Sequence, residues 1–166
     1  MKTGNKMQGT SKLHHDGQQQ IVTLLNQELA LAIDLKLQAK QAHWNVKGAS
    51  FIALHQLFDS LATIMDELAD NLAERALQLG GVALGTLQEV AGRSSLKHYP
   101  ATMQHQEGHL KTLVASLEHF SDSLYHAIDT ATHEADPVTA DLLTQAAALV
   151  DKQAWFLRAH IVAQPH

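Results

Sequence analysis

The sequence predicts an all-α fold, a bundle of four long helices with one crossover. Three observations predict it. Ala, Leu and Gln abound while aromatic residues make up only 5% of the chain, a composition that favours helix. Apolar residues recur at spacings of three and four over four long stretches, and none sustains the two-residue alternation of a strand. The second and third stretches are separated by roughly 20 residues, too many for a tight turn between antiparallel neighbours, so the chain needs a crossover.

Each element has its own local reason. Residues 1–16 are rich in Gly, Thr, Lys and Asn without periodicity. They are expected to form a flexible, mildly basic N-terminal tail, with 17–166 as the folded domain. Asp16 and Gln19 resemble a capping box. Ile21, Leu24, Leu25, Leu29, Ala32, Ile33 and Ala39 then mark a first helix to about Val46, stopped by Gly48. Ser50 can cap the second, in which Leu54, Leu57, Phe58, Leu61, Ile64, Met65, Leu68 and Leu72 repeat until Gly80 and Gly81 end it. In the connection, Thr86 and Glu89 form a second capping box and Gly92 can terminate, so a short helix is expected there. Pro100 is expected to open a third long helix to about Thr130. Asp136 and Pro137 are an N-cap and first-turn pair for a fourth, ending near Val162.

Composition narrows the function classes. At 166 residues and 45% apolar content, the chain is one globular domain. The absence of cysteine excludes a disulfide scaffold, a cysteine zinc site and a cysteine nucleophile, and suits a reducing cytosol. The first residues hold no apolar core of a secretory signal, so a cytoplasmic protein is expected. No apolar run approaches the ~20 residues of a membrane span. The net charge is −5, unevenly spread. Lys2, Lys6 and Lys12 against Asp16 give the first 16 residues +2, leaving −7 for the remainder.

Five residues of metal-ligand type carry the chemistry: His43, His55, Asp59, Asp70 and Glu74. His55 and Asp59 are four apart, as are Asp70 and Glu74, so each pair leaves one face of a helix. All four fall within an arc of roughly 100°. Yet Asp70 lies about 22 Å along the axis from His55 at the helical rise per residue. Metal bonds of about 2 Å cannot bridge that gap. If the pairs share a metal, the second comes from another copy running antiparallel. Imidazole with carboxylate suits first-row transition metals, and open positions for an oxidant suit redox iron better than structural zinc. Singly, each residue reads as a solvated acid or a buried histidine. Jointly, the acids are expected on the Leu57/Leu61/Ile64/Leu68 side, where a cation would compensate their burial. A two-fold axis near Ile64 and Met65 would then make the dimer contact from the apolar residues around it and create two equivalent sites. No Glu-x-x-His occurs in the chain, which counts against a di-iron centre inside one bundle.

The stretch KQAHWNVKGASFIALHQLFDSLATIMDELADNLAERALQLGGVALGT, with TADLLTQAA and DKQAWFL near the end, resembles the Dps family of starvation-induced mini-ferritins. The HWN, LHxxFD and DxxAER segments stand at that family's mutual spacing, and only the tail lacks a clear match. The resemblance implies a ferritin-like four-helix subunit in a hollow homododecamer. It implies two-iron ferroxidase sites on the two-fold interfaces, with His43, His55 and Asp59 from one subunit and Asp70 and Glu74 from its partner, Glu74 bridging. It further implies that Fe(II) is oxidised, preferably by hydrogen peroxide, and stored as ferric mineral. Trp44, beside the site, is implied as a radical quencher, a packed core residue being the alternative.

Weaker expectations follow. Lys2, Lys6 and Lys12 could contact DNA phosphates without sequence preference, with many copies adding avidity, while the acidic body would repel DNA. Asp136 and Asp141 are implied in an acidic iron-entry channel, although Asp136 also has a role as N-cap. The remaining histidines, among them His105 and His109, are expected as surface residues. The competing reading is a DNA-compacting nucleoid protein with weak ferroxidase activity. Another is a helical adaptor whose histidines are structural.

Overall fold

The computed structural model describes residues 15–161. Five helices follow in order: α1 (His15–Asn45), α2 (Phe51–Gln78), α3 (Leu87–Arg93), α4 (Gln106–His133) and α5 (Pro137–Arg158). The extensive contacts are α1 with α2 and α4 with α5, and α1 also packs on α4 and on α3. Two hairpins of long helices are thus joined by a crossover, with α3 lying on α1. No named strand occurs among the described residues, only an isolated bridge between Lys47 and His105.

The core is built as the periodicity predicts. Ile21, Leu25, Leu35, Leu54, Phe58, Leu61, Met65, Leu72, Leu113 and Phe120 are fully buried. Each such side chain contributes about 2 kcal/mol on leaving water. The end of α2 is a Schellman turn: Gly80 lies at φ 75°, its N–H donates to the Leu77 carbonyl, and that of Gly81 donates to Ala76. The end of α4 repeats the pattern with Ala135 at φ 58°, at about 1 kcal/mol for a residue that is not glycine.

Three boundaries differ from expectation. The third long helix begins at Gln106, six residues after Pro100. The intervening chain turns at Ala101 and Thr102 and then runs beside the α1–α2 turn, where Lys47 N–H donates to the Gln104 carbonyl at 3.1 Å. The fourth ends at Arg158, in short-range bonds from His160 to Leu157 and Ile161 to Arg158. The first already includes His15 and Asp16, which the sequence had assigned to the tail. Neither Ser50 nor Thr86 makes a side-chain cap bond. Glu89 pairs instead with Arg93 at 3.0 Å. Lys2, Lys6, Lys12 and His14 lie outside the described residues.

Asp136 does cap α5, accepting from Thr139 N at 3.2 Å and Thr139 Oγ1 at 2.6 Å. It also takes both of its oxygens to one Arg75 nitrogen at 2.9 and 3.0 Å. Burial alone would raise this carboxyl, but the bonds from Thr139 and Arg75 outweigh it and hold the pKa below the ordinary value. Its contribution is therefore present above the unfolded carboxylate pKa and is lost as pH falls through the lower, folded one. Asp136→Ala would leave the Arg75 charge with its partner gone inside the α2–α5 contact. It should destabilise the fold by about 3 kcal/mol in denaturant unfolding near neutral pH, with the deficit shrinking in strong acid.

Glu28 behaves in the opposite sense. It is 2% exposed, accepts from Ser123 Oγ at 2.8 Å, and leaves Oε2 buried without a partner. Burial pushes its pKa up to about 7, against the smaller effect of Ser123. The folded state therefore holds a proton that the unfolded chain has released, so stability falls as pH rises from about 4.5 to 7. Glu28→Gln should remove that slope. Thermal unfolding at pH 5 and pH 8 should show the variant stabilised at the higher pH, by on the order of 3 kcal/mol.

Candidate metal centre

The end of α1 and the start of α2 bring two of the five candidate residues together. The His43 and His55 rings stack with centroids 3.7 Å apart and planes 22° from parallel. Each ring is tied to the other residue's backbone. His43 Nδ1 donates to the His55 carbonyl at 2.8 Å, and His55 Nδ1 donates to the His43 carbonyl at 2.8 Å. A carbonyl accepts only, so Nδ1 carries the hydrogen on both neutral imidazoles and Nε2 keeps its lone pair. The His43 carbonyl is available because it lies in the last turn of α1, where Lys47 N–H donates to Gln104 instead. This is the arrangement in which a backbone acceptor fixes an imidazole as a metal ligand. Phe51 closes one side, its ring 5.1 Å from His55.

Asp59 stands one turn further along α2, its Oδ1 4.0 Å from His43 Nδ1. It is exposed and bonded by Lys40 Nζ at 2.7 Å. That bond is the main reason its pKa lies below the ordinary value. Lys40 also lies 5.8 Å from the centre of the Trp44 ring. Trp44 is 65% exposed, so the alternative of a packed core tryptophan does not hold in the single chain. Lys40 was not singled out by the sequence, although its position three residues before His43 and four before Trp44 places it on their face of α1.

Asp70 and Glu74 lie near the far end of α2, both exposed. The ion pairs of the described residues include neither. Among the described residues no three His, Cys, Asp or Glu side chains converge on a common point. The described residues therefore carry candidate donors in two separate places, His43, His55 and Asp59 at the start of α2 and Asp70 and Glu74 towards its end.

The face of α2 that carries them is not the one expected. Leu61 and Leu68 are buried and Leu57 and Ile64 half-buried in the protomer's own bundle, whereas Asp59, Asp70 and Glu74 point outward among Thr63, Asp66 and Glu67. The acids are not buried carboxylates in the single chain. Met65 is fully buried and cannot supply a dimer contact. A helix buries one stripe, and the ligand arc lies on the opposite one. The outward arc does hold two large apolar side chains, Ile52 at 61% exposure and Leu77 at 57%, which the sequence reading missed.

Of the two acids expected in a channel, Asp136 has its oxygens engaged by Arg75 and Thr139. Asp141 is exposed on α5 and accepts from Gln145 at 2.7 Å. His109, expected on the surface, is fully buried.

A ferritin-like domain matches residues 22–164. With the two hairpins and their crossover, this makes the chain a ferritin-like four-helix protein. Within that class it belongs to the Dps family. It is 42% identical over 141 residues to the DNA protection during starvation protein of Agrobacterium fabrum, covering 85% of this chain and 87% of that protein. DpsC from Streptomyces coelicolor superposes with a TM-score of 0.91 at 30% identity, covering 100% of this chain and 97% of that one. Dps from Microbacterium arborescens, described in its high iron form, gives 0.83 at 30% identity, over 89% and 95% of the two chains. No helix of the described residues is long and apolar enough to cross a membrane.

Proposed function

We propose that this protein is an iron-storing mini-ferritin and a ferroxidase. It oxidises Fe(II), with hydrogen peroxide or oxygen as acceptor, at two-iron sites shared between two-fold-related subunits of a homododecamer. In doing so it protects DNA from oxidative damage in the cytoplasm. The observation that carries this reading is the stacked His43–His55 pair, whose Nε2 lone pairs are left free by reciprocal Nδ1 bonds to backbone carbonyls at 2.8 Å.

His43, His55 and Asp59 of one subunit would hold Fe(II) together with Asp70 and Glu74 of the partner subunit. Two irons supply two electrons to peroxide. Its O–O bond breaks, and with two protons it leaves as two waters, so no hydroxyl radical escapes. The acidic face draws cations, and Lys40 can release Asp59 to an arriving iron. Asp141 is the remaining acid for an entry channel, and Lys2, Lys6 and Lys12 are the candidates for DNA contact.

The outward apolar pair supports the shared geometry. The antiparallel register that sets His55 against Glu74 of the partner subunit also sets Asp59 against Asp70, with one midpoint between Ile64 and Met65. The same register sets Ile52 against Leu77, the two exposed apolar residues of this arc. The native chain has no cysteine, so a cross-link can be read without background. A chain carrying both Ile52→Cys and Leu77→Cys should give disulfide-linked dimers on oxidation. Either single variant should stay monomeric in denaturing gels, because like positions lie far from each other across the axis. Equal cross-linking in the single variants would exclude this register.

The chemistry has its own test. Asp70→Asn combined with Glu74→Gln should abolish stoichiometric Fe(II) binding under anaerobic titration and slow peroxide-dependent Fe(II) oxidation at least ten-fold. Native particle mass should persist, since neutral side chains relieve repulsion between facing carboxylates. Undiminished iron oxidation in that variant would refute the shared site.

A further inference from the structure

One face of α4 carries an ordered row of metal-ligand side chains that the candidate centre does not use. His119, Asp122, His126, Asp129 and His133 follow one another at steps of three, four, three and four residues. At 100° per residue they fall within an arc of roughly 80°, and the row extends about 21 Å along the helix axis. Imidazole and carboxylate alternate along it without a break. All five residues are exposed, on the side of α4 opposite the buried Leu117, Phe120 and Leu124.

The bonding around the row leaves its donors available. The ion pairs of the described residues include neither Asp122 nor Asp129. The cations beside them are committed elsewhere, Lys111 to Glu107 at 2.6 Å and Arg158 of α5 to Glu118 at 3.0 Å. At one end, His133 Nδ1 donates to Glu134 Oε1 at 3.0 Å. A carboxylate accepts only, so Nε2 of the neutral ring keeps its lone pair. A carboxylate behind an imidazole orients it and raises its basicity towards a metal. His133 also stands in the last turn of α4, where the helix dipole favours a cation. At the other end, His119 Nε2 lies 2.8 Å from Ser95 Oγ. A hydroxyl can accept as well as donate, so an Nε2–H bond to Ser95 leaves Nδ1 for a metal.

We propose that this row is a second metal-binding surface, which takes divalent first-row transition ions, zinc(II) foremost, each held between one imidazole and a carboxylate one turn away. Residues three and four apart on a helix have Cβ atoms about 5–6 Å apart, a gap that bonds of about 2 Å from an imidazole and a carboxylate can close. An imidazole–carboxylate pair ranks zinc(II) above Fe(II). Two protein donors leave the remaining positions to water, so the ions are held reversibly. Each aspartate serves the imidazoles on both of its sides, so five alternating donors accommodate at most two ions by pairs. The tightest pair is Asp129 with His133, where Glu134 and the helix end add their effects. The surface is independent of the ferroxidase reading above.

The test is equilibrium dialysis of the full-length protein against zinc(II) alone, in a background where Asp70→Asn and Glu74→Gln disable the candidate centre. Row variants are compared with that background, so uptake by the other histidines cancels. Asp122→Asn combined with Asp129→Asn should remove about two zinc ions per chain, because no imidazole of the row then has a carboxylate neighbour within it. His126→Gln should remove none, since it leaves His119 with Asp122 and Asp129 with His133. Glu134→Ala should weaken the tighter ion about ten-fold without changing the number bound. Zinc uptake unchanged in the aspartate double variant overturns the proposal. So does a loss in His126→Gln as large as in that variant, which would mean single histidines rather than pairs. Should the double variant fail to fold, the single variants decide, Asp122→Asn and Asp129→Asn each lowering the number by one if the pairs are real and leaving it unchanged if they are not.

Discussion

The contact between the end of α1 and the start of α2 governs the rest of the structure. Two helices joined by a five-residue turn must satisfy the carbonyls that the first leaves open. Here the His55 ring satisfies one of them, and the His43 ring returns the bond. The exchange fixes the depth at which α2 enters its hairpin and so which stripe of α2 meets the core. Once Leu54, Phe58, Leu61, Met65 and Leu72 are committed inward, the arc that holds His55, Asp59, Asp70 and Glu74 has to face out. Fold and candidate site are two results of one register.

The same residue types serve opposite purposes according to what surrounds them. Asp136 and Asp70 are both aspartates within reach of α2. Asp136 is buried against Arg75 and two Thr139 donors, and removing its partners would strand a charge. Asp70 is exposed and has no ion pair among the described residues, so it is free to take a cation at little cost in desolvation. Glu28 is a third case, buried with one oxygen unpartnered. Burial makes it keep its proton up to about pH 7. Nothing in the side-chain chemistry separates these roles. Burial and the charge of the neighbours do.

Much of this was legible in the sequence, and the limits were physical. Helical periodicity and glycine located four helices and the crossover, because burial of one stripe writes itself into spacing. The start of α4 was not legible. Pro100 is a good first-turn residue, but the chain from Gln104 to Gln106 is held extended by bonds to the distant α1–α2 turn, and local sequence carries no record of a non-local partner. The end of α4 reads poorly for a related reason, since Ala135 takes a left-handed conformation usually announced by glycine. The arithmetic that kept His55 and Asp70 apart in one chain needed only the helical rise. Which stripe was buried needed the bundle, and the acids were assigned to the wrong side because Leu57 and Ile64 sit at the boundary of the core. The burial of His109 was hidden likewise, because its partner Tyr99 lies in a segment without periodicity.

The proposed division of the site between subunits would tie chemistry to assembly. One protomer holds two imidazoles and a carboxylate at one end of α2 and two carboxylates at the other, so neither end can enclose a two-iron centre alone. Partial ligand sets bind weakly, and an isolated subunit would then not reduce peroxide with paired electrons. On the proposed reading such a division would guard against the one-electron reaction, because iron would be held for oxidation only where two subunits have met. The protection is incomplete whenever a single iron occupies a completed site, since one electron is then all that peroxide can receive.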